Sequence, residues 1–192
     1  MAIPKNVISF LEKAKIKYEP IKHRIVYTTY DKARTLKVKP NVIGKTLVLK
    51  IDPAGKQASY RAGKDLVFAL IPGNKNLDKN KFKKTINEWR KKTGLRTIKQ
   101  TSRFAPCNCS AIKNIDFISE KVMKNKFKGV KLGAIPPFGP IWKLPTFIDR
   151  ELLKNPKIIV GAGDYNWSIR ITPSNFKKVM PELAVGNFSK KK

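Results

Sequence analysis

The sequence predicts a single α/β domain over residues 1–188, in which helices surround a mixed, largely antiparallel β-sheet, followed by a basic tail over 189–192. Two observations predict this class. Short apolar runs, such as Leu47–Leu49 between Gly44 and Asp52, have the length of buried strands, whereas longer stretches repeat apolar residues with helical spacing. The two kinds of element do not alternate regularly, so a doubly wound parallel sheet is not expected. A chain of 192 residues is long enough for one sizeable core.

In the first half of the chain, glycines and prolines separate the predicted elements. Helices are predicted over 3–15, about 29–36 and from near 78, and strands over 18–22, 43–50 and 65–71. Pro4 lies in the first turn of the first helix, where its missing N–H costs nothing. The last two of these strands are close in sequence and are expected to form an antiparallel meander.

The second half of the chain follows the same rules. Strands are predicted over 95–98, 144–148, 157–160 and 167–171, and helices over 118–127 and from 172 to 181. The loop 133–139 (Gly-Ala-Ile-Pro-Pro-Phe-Gly) is expected to be rigid, because its prolines fix φ while its glycines allow close backbone approach. Such a loop can aim N–H groups without a helix. The tail 189–192 is expected to be frayed.

The charge of the chain is its strongest compositional feature. It has 42 Lys and Arg against 13 Asp and Glu, a net charge of +29, which indicates a nucleic acid partner. Lysine-rich codon usage or a high-salt cytoplasm would give similar numbers. The most basic long stretch is 79–131, which is either the polyanion-binding face or a solvated helix surface with a mobile loop. Its predicted RNA contacts are Lys83, Lys84, Lys91, Lys92, Lys124, Lys126 and Lys128.

The sequence lacks the residue patterns of the common catalytic sites. His23 is the only histidine, no Gly-x-Ser-x-Gly elbow is present, and Gly44-Lys45-Thr46 lacks the first glycine of a phosphate-binding loop. Cys107 and Cys109 have no second pair, so they are interpreted as loop thiols. No metal and no cofactor are therefore predicted. Any hydrolysis would depend on positioning and on backbone donors rather than on a strong general base.

Location is predicted from what the apolar segments lack. No apolar run approaches the ~20 residues that span a bilayer, so no membrane association is predicted. The start of the chain lacks the order of charges and apolar residues found in a signal peptide. Together with the two cysteines, which suit a reducing compartment, this favours the cytoplasm.

Six segments occur together in the order seen in one protein family. They are His23, Lys45–Leu49, Ile71–Gly73 with Leu77-Asp78, the loop 133–139, Phe147–Asp149 and Val160–Gly163. In this respect the chain resembles the YbaK/ProX family of trans-editing aminoacyl-tRNA deacylases, which is related to the editing domain inserted in bacterial prolyl-tRNA synthetases. The resemblance implies the fold of that family over residues 1–188. It also implies hydrolysis of the ester that joins a wrong amino acid to the 3′-terminal adenosine of a tRNA.

The resemblance assigns catalytic roles to one lysine and one loop. Lys45 matches the essential lysine of the family, which engages either the tRNA 3′ end or the region of the substrate carbonyl. Gly133 and Ala134 match the loop whose N–H groups hold and polarise the ester. This agrees with the chemistry of esters, whose alcohol leaving group makes an oxyanion site more important than a base.

Several of the candidate substrate-binding residues have an alternative structural role. His23 is either catalytic or structural, and the structural role is favoured; Asp149 either holds the α-amino group of the substrate or caps a helix, and the cap is favoured. Gly161 and Gly163 either admit the adenosine or turn the chain. The candidates for the amino-acid pocket are Thr28, Thr29, Ile135 and Pro136.

One segment departs from the family pattern. Residues 103–128 form a longer and more basic insertion, which is either an added tRNA-binding element or a cover over the pocket in a non-editing relative. The sequence thus predicts a deacylase that acts in trans, with tRNA-Pro carrying cysteine or alanine as its first candidate substrate. Its expected partner is tRNA, through the acceptor stem and the 3′ end. An aminoacyl-tRNA synthetase is a second candidate partner. The alternative is a basic RNA-binding protein on the same scaffold, without hydrolytic activity.

Overall fold

The structure is a computed structural model that describes residues 3–53, 66–93 and 112–192. The predicted strand at 95–98, the two cysteines and the beginning of the basic insertion lie outside the described residues. Five of the strand pairings described are antiparallel and two are parallel. The predicted fold class, a mixed and largely antiparallel sheet with helices around it, is confirmed.

The largest sheet has five strands in the order β5-β2-β3-β6-β9. Its members are β2 (Gly44–Pro53), β3 (Leu66–Pro72), β5 (Ile112–Phe117), β6 (Thr146–Asp149) and β9 (Ala184–Gly186). The predicted meander is present, because β2 and β3 pair antiparallel with Lys45 opposite Ile71. All seven residues of β3 are buried, as expected for a central strand covered on both faces.

Two smaller sheets flank this one. The first has the order β1-β8-β7 and contains β1 (Glu19–Lys22), β7 (Ile158–Gly161) and β8 (Trp167–Ile171). A parallel bridge between Ile43 and Ile159 joins it to the start of β2. The second pairs β4 (Lys75–Leu77) with β10 (Ser189–Lys191). The tail is therefore not frayed as expected, since Ser189–Lys191 forms a strand at the edge of the molecule.

Six helices occur in the described part of the chain, and the predicted ones agree within a few residues. They are α1 (Lys5–Lys13), α2 (Thr29–Leu36), α3 (Lys79–Thr93), α4 (Glu120–Lys126), α5 (Arg150–Leu153) and α6 (Pro173–Lys178). Thr172 caps α6 through its side chain, as its position before Pro173 indicates. No helix among these residues is long and apolar enough to cross a bilayer.

The five-stranded sheet separates two apolar layers. Adjacent residues of β3 point to opposite faces, so Val67 packs with Phe82 of α3 while Phe68 packs with Phe127, which ends α4. A third layer, between α1 and the smaller sheet, contains Val7. Helices α3 and α4 therefore cover opposite faces of the large sheet.

Candidate functional site

A small cavity lies where the start of β2, the start of α2 and the glycine–proline loop meet. Its volume is about 50 Å³. The residues of the sequence-predicted site that line it are Thr28, Thr29, Lys45, Gly133, Ala134, Ile135 and Gly161. We call this space the inner cavity. The structure thus brings together residues that are more than a hundred positions apart in the chain.

Backbone hydrogen bonds hold the loop against the end of the smaller sheet. The N–H of Lys131 donates to the carbonyl oxygen of Gly163 (3.0 Å), and the N–H of Gly163 donates to that of Ala134 (2.9 Å). A Cβ atom at Gly161 would lie 2.8 Å from the carbonyl oxygen of Ala134, so only glycine permits this approach. Gly133 adopts φ +81°, a conformation that also favours glycine.

The loop offers backbone donors, and one of the two that the sequence suggests is already occupied. The N–H of Ala134 already donates to the carbonyl oxygen of Lys131 (3.0 Å). None of the hydrogen bonds between described residues uses the N–H of Gly133 or of Ile135. Gly133 is exposed, whereas Ile135 is buried and lines the inner cavity. Because buried N–H groups are nearly always paired, the N–H of Ile135 is the strongest candidate donor for a ligand.

A buried carboxylate ties the loop to the neighbouring turn. Asp164 also lines the inner cavity, and its Oδ1 accepts hydrogen bonds from Lys131 Nζ (2.9 Å) and from the N–H of Tyr165 (2.6 Å). Burial alone would raise the pKa of Asp164, but these two bonds and the charge of Lys131 outweigh it and leave the pKa lowered. The ionised pair therefore fixes one end of the loop.

Lys45 lines the cavity, but its ammonium group points elsewhere. Lys45 Nζ donates to the carbonyl oxygen of Lys75 (2.9 Å), on β4. Side chains alternate along β2, so Lys45 shares the face of Leu47, whereas Val48 is on the face that contacts Ile135. In this conformation the ammonium is therefore directed towards β4 and not towards the loop amides.

Lys32 is a cavity residue that sequence reasoning missed. It lies on α2, whose N-terminus is capped by the side chain of Thr28, and this helix carries Lys32 to the cavity wall. Burial lowers the pKa of Lys32 to about 8. A lysine among 42 basic residues carries no local signal of burial, so its position could only be read from the structure.

Burial also lowers the pKa of Lys45, and the nearby charge of Lys192 lowers it further. Lys192 belongs to the C-terminal segment that the sequence predicts to be frayed. Pairing of β10 with β4 thus brings an extra cation close to the candidate catalytic lysine.

Four predicted substrate-binding residues do not line the inner cavity: His23, Pro136, Asp149 and Gly163. His23 Nε2 is 2.9 Å from Ser168 Oγ, and its Nδ1 is 2.8 Å from the carbonyl oxygen of Arg24. Burial lowers the pKa of His23, the hydrogen bond to Arg24 opposes this, and the charge of Lys32 adds to it. Both ring nitrogens are thus occupied, in agreement with the favoured structural role.

Asp149 also has structural contacts on both carboxylate oxygens. Oδ1 accepts from the N–H of Glu151 (3.0 Å) and caps α5, as favoured from the sequence. Oδ2 accepts from the N–H groups of Phe188 and Ser189 (2.8 Å each). The side chain is almost completely buried, so it anchors the C-terminal strand rather than facing the inner cavity.

The seven predicted RNA contacts do not form one face. Lys83, Lys84, Lys91 and Lys92 lie on α3, whereas Lys124, Lys126 and Lys128 lie on or just after α4. Because α3 and α4 cover opposite faces of the large sheet, the two groups are separated by it. The Nζ of Lys83 also donates to the carbonyl oxygen of Lys113 (2.9 Å). The basic stretch 79–131 therefore correctly indicates many positive charges, but these charges do not lie together on one face of the protein.

Among residues 3–53, 66–93 and 112–192, no group of three or more His, Cys, Asp or Glu side chains is arranged to hold a metal ion. The lining residues supply the ammonium of Lys32, one carboxylate, threonine and tyrosine hydroxyls and backbone amides, whereas the ammonium of Lys45 is bonded to Lys75. This set suits a ligand with a carbonyl group and a negatively charged neighbour.

Comparison with protein families supports the resemblance. A model of the aminoacyl-tRNA editing domain matches residues 107–179, which include the loop, Asp164 and Gly161. This part of the chain matches the editing family. No curated protein sequence matches the chain significantly.

Comparison with solved structures confirms the fold. In all, 28 solved chains match. Hypothetical protein APE2540 matches with a TM-score of 0.68 at 17% identity, over 97% of this chain and 100% of that one. A protein provisionally named as a trans-editing enzyme for prolyl tRNA synthetase matches with a TM-score of 0.66 at 16% identity, over 98% and 99%. A Marinobacter aquaeolei VT8 protein, provisionally named as a signal transduction protein, matches with a TM-score of 0.57 at 12% identity, over 98% and 31%. At these identities the TM-scores establish a shared fold and no more.

Proposed function

We propose that the chain is an aminoacyl-tRNA deacylase that acts in trans, and that its substrate is a tRNA-Pro carrying cysteine or alanine. The observation that carries the proposal is the inner cavity, whose wall contains the unused N–H groups of Gly133 and Ile135. The match of the surrounding residues to the aminoacyl-tRNA editing domain supports the assignment to this reaction.

The N–H groups of Gly133 and Ile135 hold the ester carbonyl oxygen. Water adds to the carbonyl carbon, and the oxygen becomes negatively charged in the tetrahedral intermediate, where two aligned donors stabilise it most. The attacking water gives up one proton to the ribose 2′-OH or to the amino group of the substrate. The carbonyl then re-forms as the bond to the ribose oxygen breaks, and that oxygen takes up the proton, so that the products are the free amino acid and the 3′-terminal hydroxyl of the tRNA. Lys131 and Asp164 take no part in these steps, because their role is to position the loop.

The size of the cavity favours a small amino-acid side chain. A volume of about 50 Å³ holds only a few water-sized groups, since one water needs roughly 10–15 Å³ on this measure. The side chains of alanine and cysteine meet this limit. Each additional methylene changes discrimination by only about 1–3 kcal/mol, so related small residues are expected to react at graded rates.

Lys45 contacts the 3′ end of the tRNA rather than the reacting carbonyl. Its ammonium group lies beside β4 and the C-terminal segment, and the excess positive charge of the chain attracts the phosphates of the acceptor stem. Prolyl-tRNA synthetase is the partner to examine, because one structural relative carries a name that refers to it.

A panel of mischarged tRNAs tests the function directly. Release of free amino acid above the spontaneous rate from tRNA-Pro carrying cysteine or alanine supports a deacylase. The Lys45→Ala variant is expected to lose this activity while remaining folded. Lys50→Ala is the matched control, because Lys50 is on the same strand and does not line the inner cavity.

Binding to tRNA does not distinguish a deacylase from a non-catalytic RNA-binding protein, because both bind in a salt-dependent way. Absence of release across the complete panel would instead support the binding protein. Undiminished turnover by Lys45→Ala would remove Lys45 from the mechanism.

A further inference from the structure

A second and larger hollow lies next to the inner cavity. Its volume is about 330 Å³, and we call it the outer hollow. Lys45 lines both spaces, so they meet at this residue. The remaining wall comes from Leu47 of β2, from β4, β5 and β10, and from the first residue of α3. The strands β5 and β10 were not predicted from the sequence, and β5 belongs to the insertion that departs from the family pattern.

An exposed aromatic ring forms part of the wall. Phe117 is 58% exposed at the end of β5, an edge strand of the large sheet. Lys79 Nζ lies 5.6 Å from the centre of its ring. An accessible aromatic face beside a cation is the arrangement on which unpaired nucleobases stack, because every base has a π face and an attached phosphate. Leu47 and Leu77 add apolar surface to the wall.

The charge around the outer hollow is strongly positive. Lys45, Lys79 and Lys190 line it, and none of its described lining residues is acidic. Two carboxylates lie close by without forming part of the wall: the exposed Asp116 pairs with Lys79 (3.2 Å), and the charge of Lys190 contributes to lowering the pKa of Asp78. Lys192 adds repulsion, since its charge contributes to lowering the pKa of Lys45. An anionic ligand would relieve this repulsion. An acidic protein segment would leave the aromatic ring without a matching partner, and an apolar one would leave the lysines without one.

We propose that the outer hollow binds one unpaired nucleotide of an RNA 3′ end, with its base on Phe117 and its phosphate between Lys45 and Lys190. The volume is adequate for one nucleotide-sized ligand. This inference rests on the proposed function for the orientation of the RNA strand. The ester on the terminal adenosine lies in the inner cavity, and the nucleotide that precedes this adenosine lies in the outer hollow. Lys45 stands between the two and contacts the connecting phosphate.

Binding of RNA without an amino acid tests the inference separately from hydrolysis. The probes are two hairpins with the same acceptor-stem duplex, one with a four-nucleotide single-stranded 3′ end and one blunt. The wild-type protein is expected to prefer the first. Phe117→Ala is expected to weaken binding of that hairpin roughly 5- to 150-fold and to leave the blunt hairpin unchanged, given the measured range for one stacked base.

Matched variants separate stacking from general charge or folding effects. Val122→Ala removes another exposed apolar side chain, outside the outer hollow, and is expected to bind both hairpins like the wild type. Lys190→Ala is expected to weaken binding of the hairpin with the single-stranded end and to lower the slope of log K against log salt by about one. Lys191→Ala is its control, because the adjacent residue of β10 points to the other side.

Equal affinity of Phe117→Ala and wild-type protein for the single-stranded end would overturn the inference, as would an equal loss for both hairpins. Phe117→Leu keeps the apolar volume, so restored affinity in that variant would likewise overturn a stacking role. If no mischarged tRNA is hydrolysed while Phe117→Ala still loses its preference, the proposed function fails and the inference stands. If hydrolysis occurs and the preference is unchanged, only the inference fails.

Discussion

Asp149 provides the sharpest test of whether a predicted site residue is structural. The substitution Asp149→Asn keeps the shape of the side chain and removes its charge. The carboxylate accepts three backbone N–H groups, from Glu151 on Oδ1 and from Phe188 and Ser189 on Oδ2. An asparagine has one oxygen and one NH₂ group, so one end of it must face an N–H donor. The variant therefore loses at least one bond, and the others become neutral.

The magnitude follows from these contacts. A hydrogen bond to a charged group contributes about 1.5–3 kcal/mol against about 0.5–1.5 kcal/mol for a neutral one, and an unsatisfied buried N–H costs about 1–3 kcal/mol. We expect Asp149→Asn to lower the free energy of unfolding by about 3–4 kcal/mol. For a chain of this size that corresponds to a fall in Tm of roughly 6–16 °C. Detachment of β10 is expected first, because two of the three bonds hold its start.

Urea unfolding and thermal melting measure this change, and deacylation is measured below the melting range. The exposed Asp116→Asn, which loses only its ion pair with Lys79, is the control and is expected to change stability by less than about 1 kcal/mol. If Asp149→Asn were as stable as the wild type but bound a mischarged tRNA more weakly, Asp149 would be a substrate contact. That result would refute the reasoning above.

Two further predictions concern the wall of the inner cavity. Lys32→Met removes a partly buried ammonium and is expected to raise stability at pH 7 by about 1–3 kcal/mol. The folded pKa of about 8 is below the unfolded value of 10.5, so the unfolded state binds more protons between these pH values. Wild-type stability therefore rises with pH in this range, and the advantage of the variant shrinks. Urea unfolding at pH 7 and pH 10 measures this, with the exposed Lys39→Met as control, and identical pH dependence of the wild type and Lys32→Met would contradict it. Gly161→Ala places a Cβ atom 2.8 Å from the carbonyl oxygen of Ala134, so it is expected to displace the loop, to cost about 1–3 kcal/mol and to abolish most deacylation. Gly133→Ala meets no atom within 4 Å and is strained only by its φ of +81°, so it is expected to retain more activity; a Gly161→Ala enzyme with normal kcat/KM would show that the loop position is unimportant.

Most of the regular elements were predictable because their signals are local. The apolar runs of β2, β3 and β7 and the helical spacing of α1 are periodicities of two or 3.6 residues, and they were predicted at nearly the observed bounds. The cap at Thr172 is likewise a local interaction between a side chain and the N–H groups that follow it. The short strands β4, β9 and β10 were missed, since three residues are too few to show a period.

The site was predictable only in part. The glycine–proline loop and Lys45 were identified through their resemblance to a family, and they do line one cavity. The direction of the Lys45 ammonium was not predictable, because it depends on the carbonyl oxygen of Lys75 on another strand. The backbone donors of the loop were not predictable either. The N–H of Ala134 is unavailable to a ligand, because it donates to the carbonyl oxygen of Lys131.

The sequence by itself determined the class of fold, the excess of positive charge and the rigid loop, because each depends on composition or on neighbours within a few positions. Tertiary structure alone decided which lysines share a surface, which one is buried at the cavity wall, and that the last strand returns beside Lys45. These outcomes depend on burial and on contacts between distant segments. In a chain with 42 basic residues, only the packed structure gives one lysine an environment different from the others.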